Sequence, residues 1–414
     1  KPHLHVGRRI VLMTENSQSC LSARDNLLKV FRHEQPEWIP VHIGHVGPGE
    51  WPDDFRSGMP QELDAALGTI QWCDGSARVL DEHLGFDVLD ACLSPVRWER
   101  RHVSVERSKP DDGTTVVTTG VTPLGEMREV RRQVGASPYI VEHMVKSNRD
   151  LPALTAFFED ATPVVNAAAA DALRERKALV GDRGLVFCSL QGTPVGMMVR
   201  TYAGPETMAY LWADRGDDLR RLFEAMTEYS LREARLCAEL GVDLIFNMDD
   251  TSTTCISPPM FEEFCMEYTD QMADAVHAQG AFYVHHSCGH IRALLDLYRQ
   301  TKMDAVDALN LAPPRGRGDV PTLTEAIERL GPHITILTGL GLSGRFWEPD
   351  WSQELAQAFR EAAPGKNVIF TAKGPDFART KILAEECRKH QRMYARLYDD
   401  AKQAANKPDA GDGK

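Results

Sequence analysis

Several patterns that would assign this 414-residue sequence to a common class are missing from it. It has no CxxC pair, and its nine cysteines lie far apart. These two facts argue against a disulfide framework, a zinc ribbon and a thioredoxin-like motif. A metal site in this chain must therefore be built from residues that the fold brings together.

Positive charge and long apolar runs are also scarce. The formal net charge is -13, and no run rich in Lys and Arg occurs, so nucleic acid is not an expected partner. No apolar stretch approaches the roughly 18–20 residues needed to cross a bilayer, and the first residues lack the layout of a signal peptide. The sequence predicts a cytoplasmic protein that does not bind membranes.

Short apolar segments alternate with amphipathic ones along most of the chain. After residue 150, predicted strands such as GLVFCSL, VDLIFNM, AFYVHHS, ITILTGL and NVIFTA are each followed by a predicted helix. Repeated βα units of this size indicate a parallel sheet with right-handed crossovers. Seven or eight of them predict an α/β fold of the closed (β/α)8, or TIM-barrel, type.

The remaining segments predict how the chain is divided. Residues 1–21 show no periodicity and are expected to form an N-terminal arm, and the barrel is expected over residues 22–398. Residues 97–132 are rich in Val and Thr, with a break at Asp112 and Gly113, which predicts a small antiparallel β insertion. Residues 399–414 are predicted to form a polar C-terminal tail.

Polar side chains lie at the C-terminal ends of the predicted strands, where a barrel carries its chemistry. Asp249 or Asp250, together with His45, is expected to act as general acid or base or to position the substrate, although one aspartate equally fits a helix cap. The expected substrate-binding residues are His42, His285, Asn310, Lys373 and Trp51. His42 and His45 equally fit ordinary hydrogen-bonding roles, and Trp51 equally fits packing.

The segment AFYVHHSCGH, residues 281–290, contains the most specific pattern for a metal site in the sequence. Residues two apart on an extended strand point to the same side, so His286 and Cys288 can present a nitrogen and a sulfur to one ion. Imidazole and thiolate together suit Zn²⁺. The alternative is a chance pairing of a core cysteine with a hydrogen-bonded imidazole.

Three longer segments resemble the uroporphyrinogen decarboxylase superfamily. SARDNLLKVFRHEQPEWIPV resembles its opening helix and strand, and TPLGEMREV followed by SPYIVEHMVKSNRDL resembles its methyltransferase-like branches. The region from Ile256 to Asn310 is similar to the signature region in which a strand ends in HxCG. The resemblance runs from about Ser22 to Leu397.

The corrinoid-linked methyltransferase branch implies that His286 and Cys288 bind zinc with a later cysteine. This chain departs from that pattern, because its last strand reads IFTAKGPDF and the next cysteine is Cys387 in the terminal helix. His45, Asp249, Asp250 and His285 are therefore candidates for the third ligand. Lys373 is an alternative, because its charge can hold a substrate carboxylate.

The resemblance implies an enzyme that moves a methyl group from a small donor, such as an O-methyl aromatic or a methylamine, to a corrinoid protein or a thiol. No DxHxxG motif occurs, so a corrinoid is expected on a separate protein. Two alternatives remain, a decarboxylase or other lyase and a catalytically silent barrel that binds a corrinoid or metabolite. The decarboxylase has an arginine-rich loop after its first strand, where this chain reads HIGHVGPGEW. A homodimer is a further expectation from the resemblance.

Overall fold

The computed structural model describes residues 21–44, 58–68, 76–110, 113–134, 137–214, 216–249, 251–341, 345–365 and 367–405. His45, Trp51 and Asp250 lie outside the described residues, as do nearly all of the predicted N-terminal arm and residues 406–414. No helix within the described ranges is long and apolar enough to cross a membrane.

Fourteen strands and a series of helices make up the described chain. The strands are β1 (Val41–His42), β2 (Val88–Cys92), β3 (Val96–Glu99), β4 (Ser104–Ser108), β5 (Thr115–Thr122), β6 (Gly125–Val134), β7 (Ser137–Glu142), β8 (Thr162–Val165), β9 (Gly184–Gln191), β10 (Leu244–Asp249), β11 (Phe282–Ser287), β12 (Ala305–Leu309), β13 (Thr335–Gly339) and β14 (Val368–Thr371). The α-helices are Ala23–Phe31, Gln61–Gly68, Ser76–Leu84, Leu151–Glu159, Ala167–Val180, Pro194–Met197, Gly204–Asp214, Asp217–Glu239, Pro258–Phe264, Met266–His277, Leu295–Tyr298, Leu323–Leu330, Trp351–Ala362, Phe377–Arg392 and Tyr394–Ala405.

Eight parallel strands form the main sheet in the order β1-β14-β13-β12-β11-β10-β9-β2. The two edge strands approach each other at Asp87, which precedes β2. Its backbone N–H donates to the carbonyl of Val41 at 2.8 Å, and its carboxylate accepts from the N–H of Val41 at 2.9 Å. The sheet is therefore nearly closed, and the predicted (β/α)8 barrel is confirmed.

The helix Ala23–Phe31 fills the N-terminal end of the barrel. Ser22 caps its N-terminus, because the Ser22 side chain accepts a hydrogen bond from the N–H of Asp25. Leu27, Val30 and Phe31 are buried in one cluster with interior residues of β2 and of β9 through β14. Full burial of such a side chain contributes about 1.5–3 kcal/mol, so this helix closes the barrel and supports its core.

The antiparallel insertion is larger than the predicted range 97–132. Strands β4, β5, β6 and β7 form a four-stranded sheet, and β3 pairs with β8 in a separate two-stranded sheet. The insertion thus continues through Glu142, and its flanking pair extends to Val165. From Ser137 onward, apolar and polar residues alternate less clearly than they do in the Val- and Thr-rich hairpin. The sequence therefore did not predict β7.

Other boundaries also differ from the sequence prediction. Cys265 separates the helix Pro258–Phe264 from the helix Met266–His277. The strand β2 was not predicted, and its centre is the fully buried Asp90, an unusual residue for a parallel strand. The helix Tyr394–Ala405 extends past residue 398, where the tail was expected to begin.

Candidate functional site

Side chains alternate between the two faces of each barrel strand, and this alternation decides which residues reach the central mouth. On β11, Phe282 and Val284 belong to the cluster inside the barrel, whereas Tyr283 packs in the layer between sheet and helices. His286 follows the interior positions by two residues. It therefore lies at the inner rim of the C-terminal end.

His286 is paired with a carboxylate from the neighbouring strand. The residues His286 and Asp307 are aligned in the β11–β12 register, and Nδ1 of His286 lies 2.6 Å from Oδ2 of Asp307. Burial disfavours the charged imidazole, but hydrogen bonds with Asp307 and Cys288 outweigh burial and raise the pKa of His286 to about 10. With Nδ1 held by Asp307, the ring is oriented and Nε2 is the nitrogen left for a ligand.

Cys288 lies directly after β11 and is exposed. Its side chain is near enough to that of His286 to raise the pKa of the imidazole, so the structure brings the predicted pair close together. Gly289 has a φ of +92°, a conformation that suits glycine, and it turns the chain away immediately after the cysteine. The thiol is therefore presented at the rim and not inside the packed core.

The strand β12 is irregular immediately after Asp307. Ala308 has a φ of +36°, which is rare for a residue with a Cβ. The register between β12 and β13 shifts between Val306 and Leu309. Nδ2 of Asn310 donates to the carbonyl of Ala308 at 2.8 Å and supports this kink. Strain of this kind often accompanies functional sites, and here Asn310 shapes the strand end that carries Asp307.

His42 also lies at the inner rim, on the first strand. It is almost fully buried and is aligned with Thr371 of β14. Nδ1 of His42 accepts from the N–H of Gly44 at 3.1 Å, and Nε2 lies 3.1 Å from Oγ1 of Thr371. These contacts fix the ring in the wall of the mouth. Lys373 follows β14 two residues later and is half-buried.

His285 lies on the opposite face of β11 from His286. It is fully buried, its Nε2 is 3.0 Å from Oγ1 of Thr251, and its ring contacts those of Phe261 and Tyr298. Burial, reinforced by the neighbouring His286, lowers the pKa of His285 to about 3. The structure places this predicted substrate-binding residue in the helix layer, away from the mouth.

Asp249 likewise occupies an outward position on β10. It is buried, and its Oδ2 accepts from the N–H of Thr193 at 2.7 Å. A methyl group on Gly196 would overlap Oδ1 of Asp249, so the turn that follows β9 is packed around this carboxylate. Nearby, Tyr268 donates to Oδ1 of Asn247 at 3.0 Å. These contacts hold the segment after β9 in position and direct Asp249 away from the barrel interior.

Two functional candidates were missed by sequence reasoning. Asp307 was visible at a strand end but received no role, although its spacing of two from Ala305 places it on the interior face. Arg200, in the π-helical turn Met198–Tyr202, donates to the carbonyl of Met248 at 2.9 Å. No sequence pattern predicted that turn.

No group of three His, Cys, Asp or Glu residues in the described part of the chain is arranged to hold a metal ion. Two of the four candidates for a third ligand, His285 and Asp249, are directed away from His286. The other two, His45 and Asp250, lie outside the described residues. The described donors therefore comprise one imidazole and one thiol, with a carboxylate behind the imidazole.

A nearly closed eight-stranded parallel barrel with its polar cluster at the carboxyl ends of the strands defines a (β/α)8-barrel protein with its candidate site at the usual end. The chain belongs to the uroporphyrinogen decarboxylase (URO-D) family, whose sequence profile matches residues 126–362, more than half of the chain. No curated protein matches the sequence significantly.

Solved structures resemble the fold at low sequence identity. A methyltransferase from Methanosarcina mazei superposes with a TM-score of 0.55 at 16% identity, covering 89% of this chain and 99% of that one. A D-psicose 3-epimerase from Clostridium cellulolyticum H10 gives a TM-score of 0.33 at 14% identity, covering 56% of this chain and 84% of that one. The similarity to the methyltransferase indicates a shared fold.

Proposed function

We propose that this chain is a zinc-dependent methyltransferase. In this proposal it moves a methyl group from a small donor, an O-methyl aromatic or a methylamine, to a thiol or to a corrinoid carried by a separate protein. The observation that carries the proposal is the contact of His286 with both Asp307 and Cys288 at the inner rim. A nitrogen and a sulfur donor backed by a carboxylate form a characteristic partial zinc site.

The two proposed ligands are of the types that zinc prefers, and one of them is held in place by a carboxylate. Asp307 holds Nδ1 of His286 and leaves Nε2 for the metal, which is the usual arrangement behind a ligating histidine. Cys288 follows the strand end and is accessible. When bound there, zinc supplies Lewis-acid chemistry that makes a thiol or another heteroatom reactive at neutral pH.

The third ligand is proposed to be His45 or Asp250. Asp249 and His285 are disfavoured because their contacts with Thr193 and Thr251 lie on the outer faces of their strands. Whichever of His45 and Asp250 does not bind the metal is proposed to act in proton transfer. Asp249 is proposed as a positioning residue that fixes the segment after β9.

His42 and Lys373 are proposed to contact the substrate from the other side of the mouth. The ring of His42 is held by Gly44 and Thr371, so it presents a fixed surface. Lys373 supplies a positive charge two residues beyond the end of β14. Trp51 is proposed to line an apolar part of the donor site, as the sequence analysis also proposes.

Elemental analysis tests the metal site. Wild-type protein grown with zinc and purified without chelators should carry about one zinc per chain, the number for a single catalytic site. A His286→Ala, Cys288→Ala variant should carry none. A Cys255→Ala variant should keep its zinc, because Cys255 is a half-buried cysteine packed against the core. Metal-free wild type, or equal metal in both variants, would overturn the zinc proposal.

Decarboxylation is the second candidate, and membership of the URO-D family favours it. The two activities separate on metal dependence. Methyl transfer from a panel of methoxy aromatics and methylamines to a thiol should stop when a chelator removes zinc. Release of carbon dioxide from a carboxylated substrate that persists under chelation would instead support a decarboxylase.

A further inference from the structure

A second region beside the mouth has features that the methyl-transfer proposal does not use. A cavity of about 750 Å3 lies between one face of the β4–β7 sheet and the barrel. Its lining includes five cationic side chains, which are Arg100, Arg107, Lys109, Arg131 and Arg200. Glu129 is the acidic residue that lines it. A local excess of four positive charges stands out in a chain whose net charge is -13.

The alternation of the insertion strands directs these charges into the cavity. Arg107 shares one face of β4 with Val105, Lys109 follows the strand by one residue, and all three side chains line the cavity. Arg131 shares a face of β6 with Glu129, while its neighbour Arg132 lies on the other face and is exposed. The sheet therefore presents its basic face to the barrel.

The single carboxylate is already neutralised. Glu129 is buried, and its two oxygens accept from Nε and Nη2 of Arg131 at 2.6 and 3.0 Å. Within the described residues, Arg100, Arg107 and Arg200 have no carboxylate at salt-bridge distance. Arg100 donates to the carbonyl of Phe157 at 3.3 Å and lies 4.0 Å from its ring centroid. A guanidinium has five donors, so donors remain for a ligand.

The rest of the lining is apolar or neutral. Met127, Met144 and Phe157 form apolar walls, and the hydroxyl-bearing rings of Tyr202 and Tyr229 line the barrel side. Burial raises the pKa of Tyr202 to about 12, so this phenol stays neutral and adds no negative charge to the cavity. Apolar walls with a few convergent polar groups are typical of small-molecule sites, and this volume is typical of them too.

We propose that this cavity binds a small organic anion that carries a carboxylate or phosphate group on an apolar body. Arginine is suited to both groups because its planar donors match their oxygens. The cavity reaches the mouth through Arg200, which bonds the carbonyl of Met248, and Met248 is aligned with His286 in the sheet register. The bound anion therefore lies beside the candidate catalytic site, in a separate chamber.

Calorimetric titration with three related probes tests this site. 2-Naphthoate and 2-naphthyl phosphate are the anions, and 2-naphthamide is the neutral control with the same ring system. One anion or both should bind at least tenfold more tightly than the amide, the factor expected from one or more hydrogen bonds to a charged group. The tighter anion identifies which acidic group the cavity prefers. Equal affinity for the amide would overturn the proposal.

Matched arginine variants locate the binding. Arg107→Gln should weaken binding of the preferred anion about tenfold, since Arg107 is exposed to the cavity and has no carboxylate partner within the described residues. Arg132→Gln should leave the affinity unchanged, because that side chain lies on the opposite face of the same sheet. An Arg100→Gln, Arg107→Gln variant should lose more affinity than either change alone. Equal effects of Arg107→Gln and Arg132→Gln would rule out this cavity.

The same titration separates this proposal from the zinc proposal. The His286→Ala, Cys288→Ala variant lacks both proposed metal ligands but keeps the cavity intact. It should bind the preferred anion with wild-type affinity, whether or not the wild-type protein contains zinc. A variant that loses anion binding would assign the anion to the mouth and contradict a separate chamber.

Discussion

The two ends of the barrel are built from the same strands but differ in chemistry. At the N-terminal end, interior residues such as Val284, Ala305 and Ile369 pack around the helix Ala23–Phe31. Two positions further along those strands, the interior residues are His286, Asp307 and Thr371. A change from apolar to polar interior residues within one alternation step separates the end that packs around a helix from the end that carries the candidate site.

The largest expected effect of a change at the closed end is on stability. Phe31 is fully buried, and its ring centroid lies 5.3 Å from that of Phe282. Phe31→Ala should lower the free energy of unfolding by about 3–5 kcal/mol, because it leaves a cavity in the barrel floor. Urea denaturation measures this loss, and zinc content per folded chain should stay unchanged.

Leu179→Ala is the control for that change. Leu179 is 55% exposed on the helix Ala167–Val180, so its loss should cost about 0.5 kcal/mol or less. If Phe31→Ala were as mild as Leu179→Ala, the helix would not support the barrel. If it removed zinc from the folded protein, the two ends would not be independent.

At the open end, Asp307→Asn should affect the metal more than the fold. The amide accepts more weakly from Nδ1 of His286, and loss of such a supporting carboxylate typically weakens metal binding about tenfold to a hundredfold. Competition with a chromogenic chelator measures zinc affinity. This prediction rests on the proposed zinc site.

A similar His–Asp pair at the other end of β12 supplies the control. Asp304 lies 2.7 Å from Nε2 of His277 and also accepts from the N–H of Tyr283. Asp304→Asn should reduce stability and leave zinc affinity unchanged. Equal zinc affinities for the two variants would assign Asp307 a purely structural role.

The smallest expected effect is a pH dependence at the closed end. Burial raises the pKa of Asp87 to about 6, although Val41, Trp38 and Gln391 donate hydrogen bonds that oppose the shift. Because the folded pKa lies above the unfolded value of about 4, folded Asp87 holds a proton that the unfolded chain releases. Its stabilising contribution is full below about pH 4 and is lost as the pH rises through 6.

Urea denaturation at pH 4.5 and pH 7.5 measures this loss, which should be on the order of 2 kcal/mol relative to Asp87→Asn. Asp171→Asn, at a side chain that is 63% exposed, should show no such difference from wild type. A wild-type protein that gains stability relative to Asp87→Asn as the pH rises would reverse the predicted sign.

The alternation of the strands explains which parts of the site the sequence could predict. The barrel was predictable because each βα unit has its own apolar pattern. The pair His286 and Cys288 was predictable because its spacing is local. The interior face was harder to identify, since parallel strands are apolar on both faces and their pattern does not mark the inside.

Asp249 and His285 illustrate this limit. Both follow apolar strands, as His286 does, yet they occupy outward positions that only the sheet register reveals. The sheet register likewise identifies Asp307 as an interior residue. Its partner, His286 on the neighbouring strand β11, lies 21 residues away in sequence. The basic cavity depends on contacts between the insertion and the barrel, and no local pattern encodes such contacts.

The pairing of β3 with β8 gives the insertion a narrow neck. Glu99 lies opposite Thr162, so the chain leaves the barrel and returns to it at nearly the same place. Trp98 stacks on Tyr229 with ring centroids 3.6 Å apart and anchors this neck to the long helix Asp217–Glu239. The insertion therefore begins and ends at one place on the molecule, and its four-stranded sheet is separate from the eight-stranded sheet of the barrel.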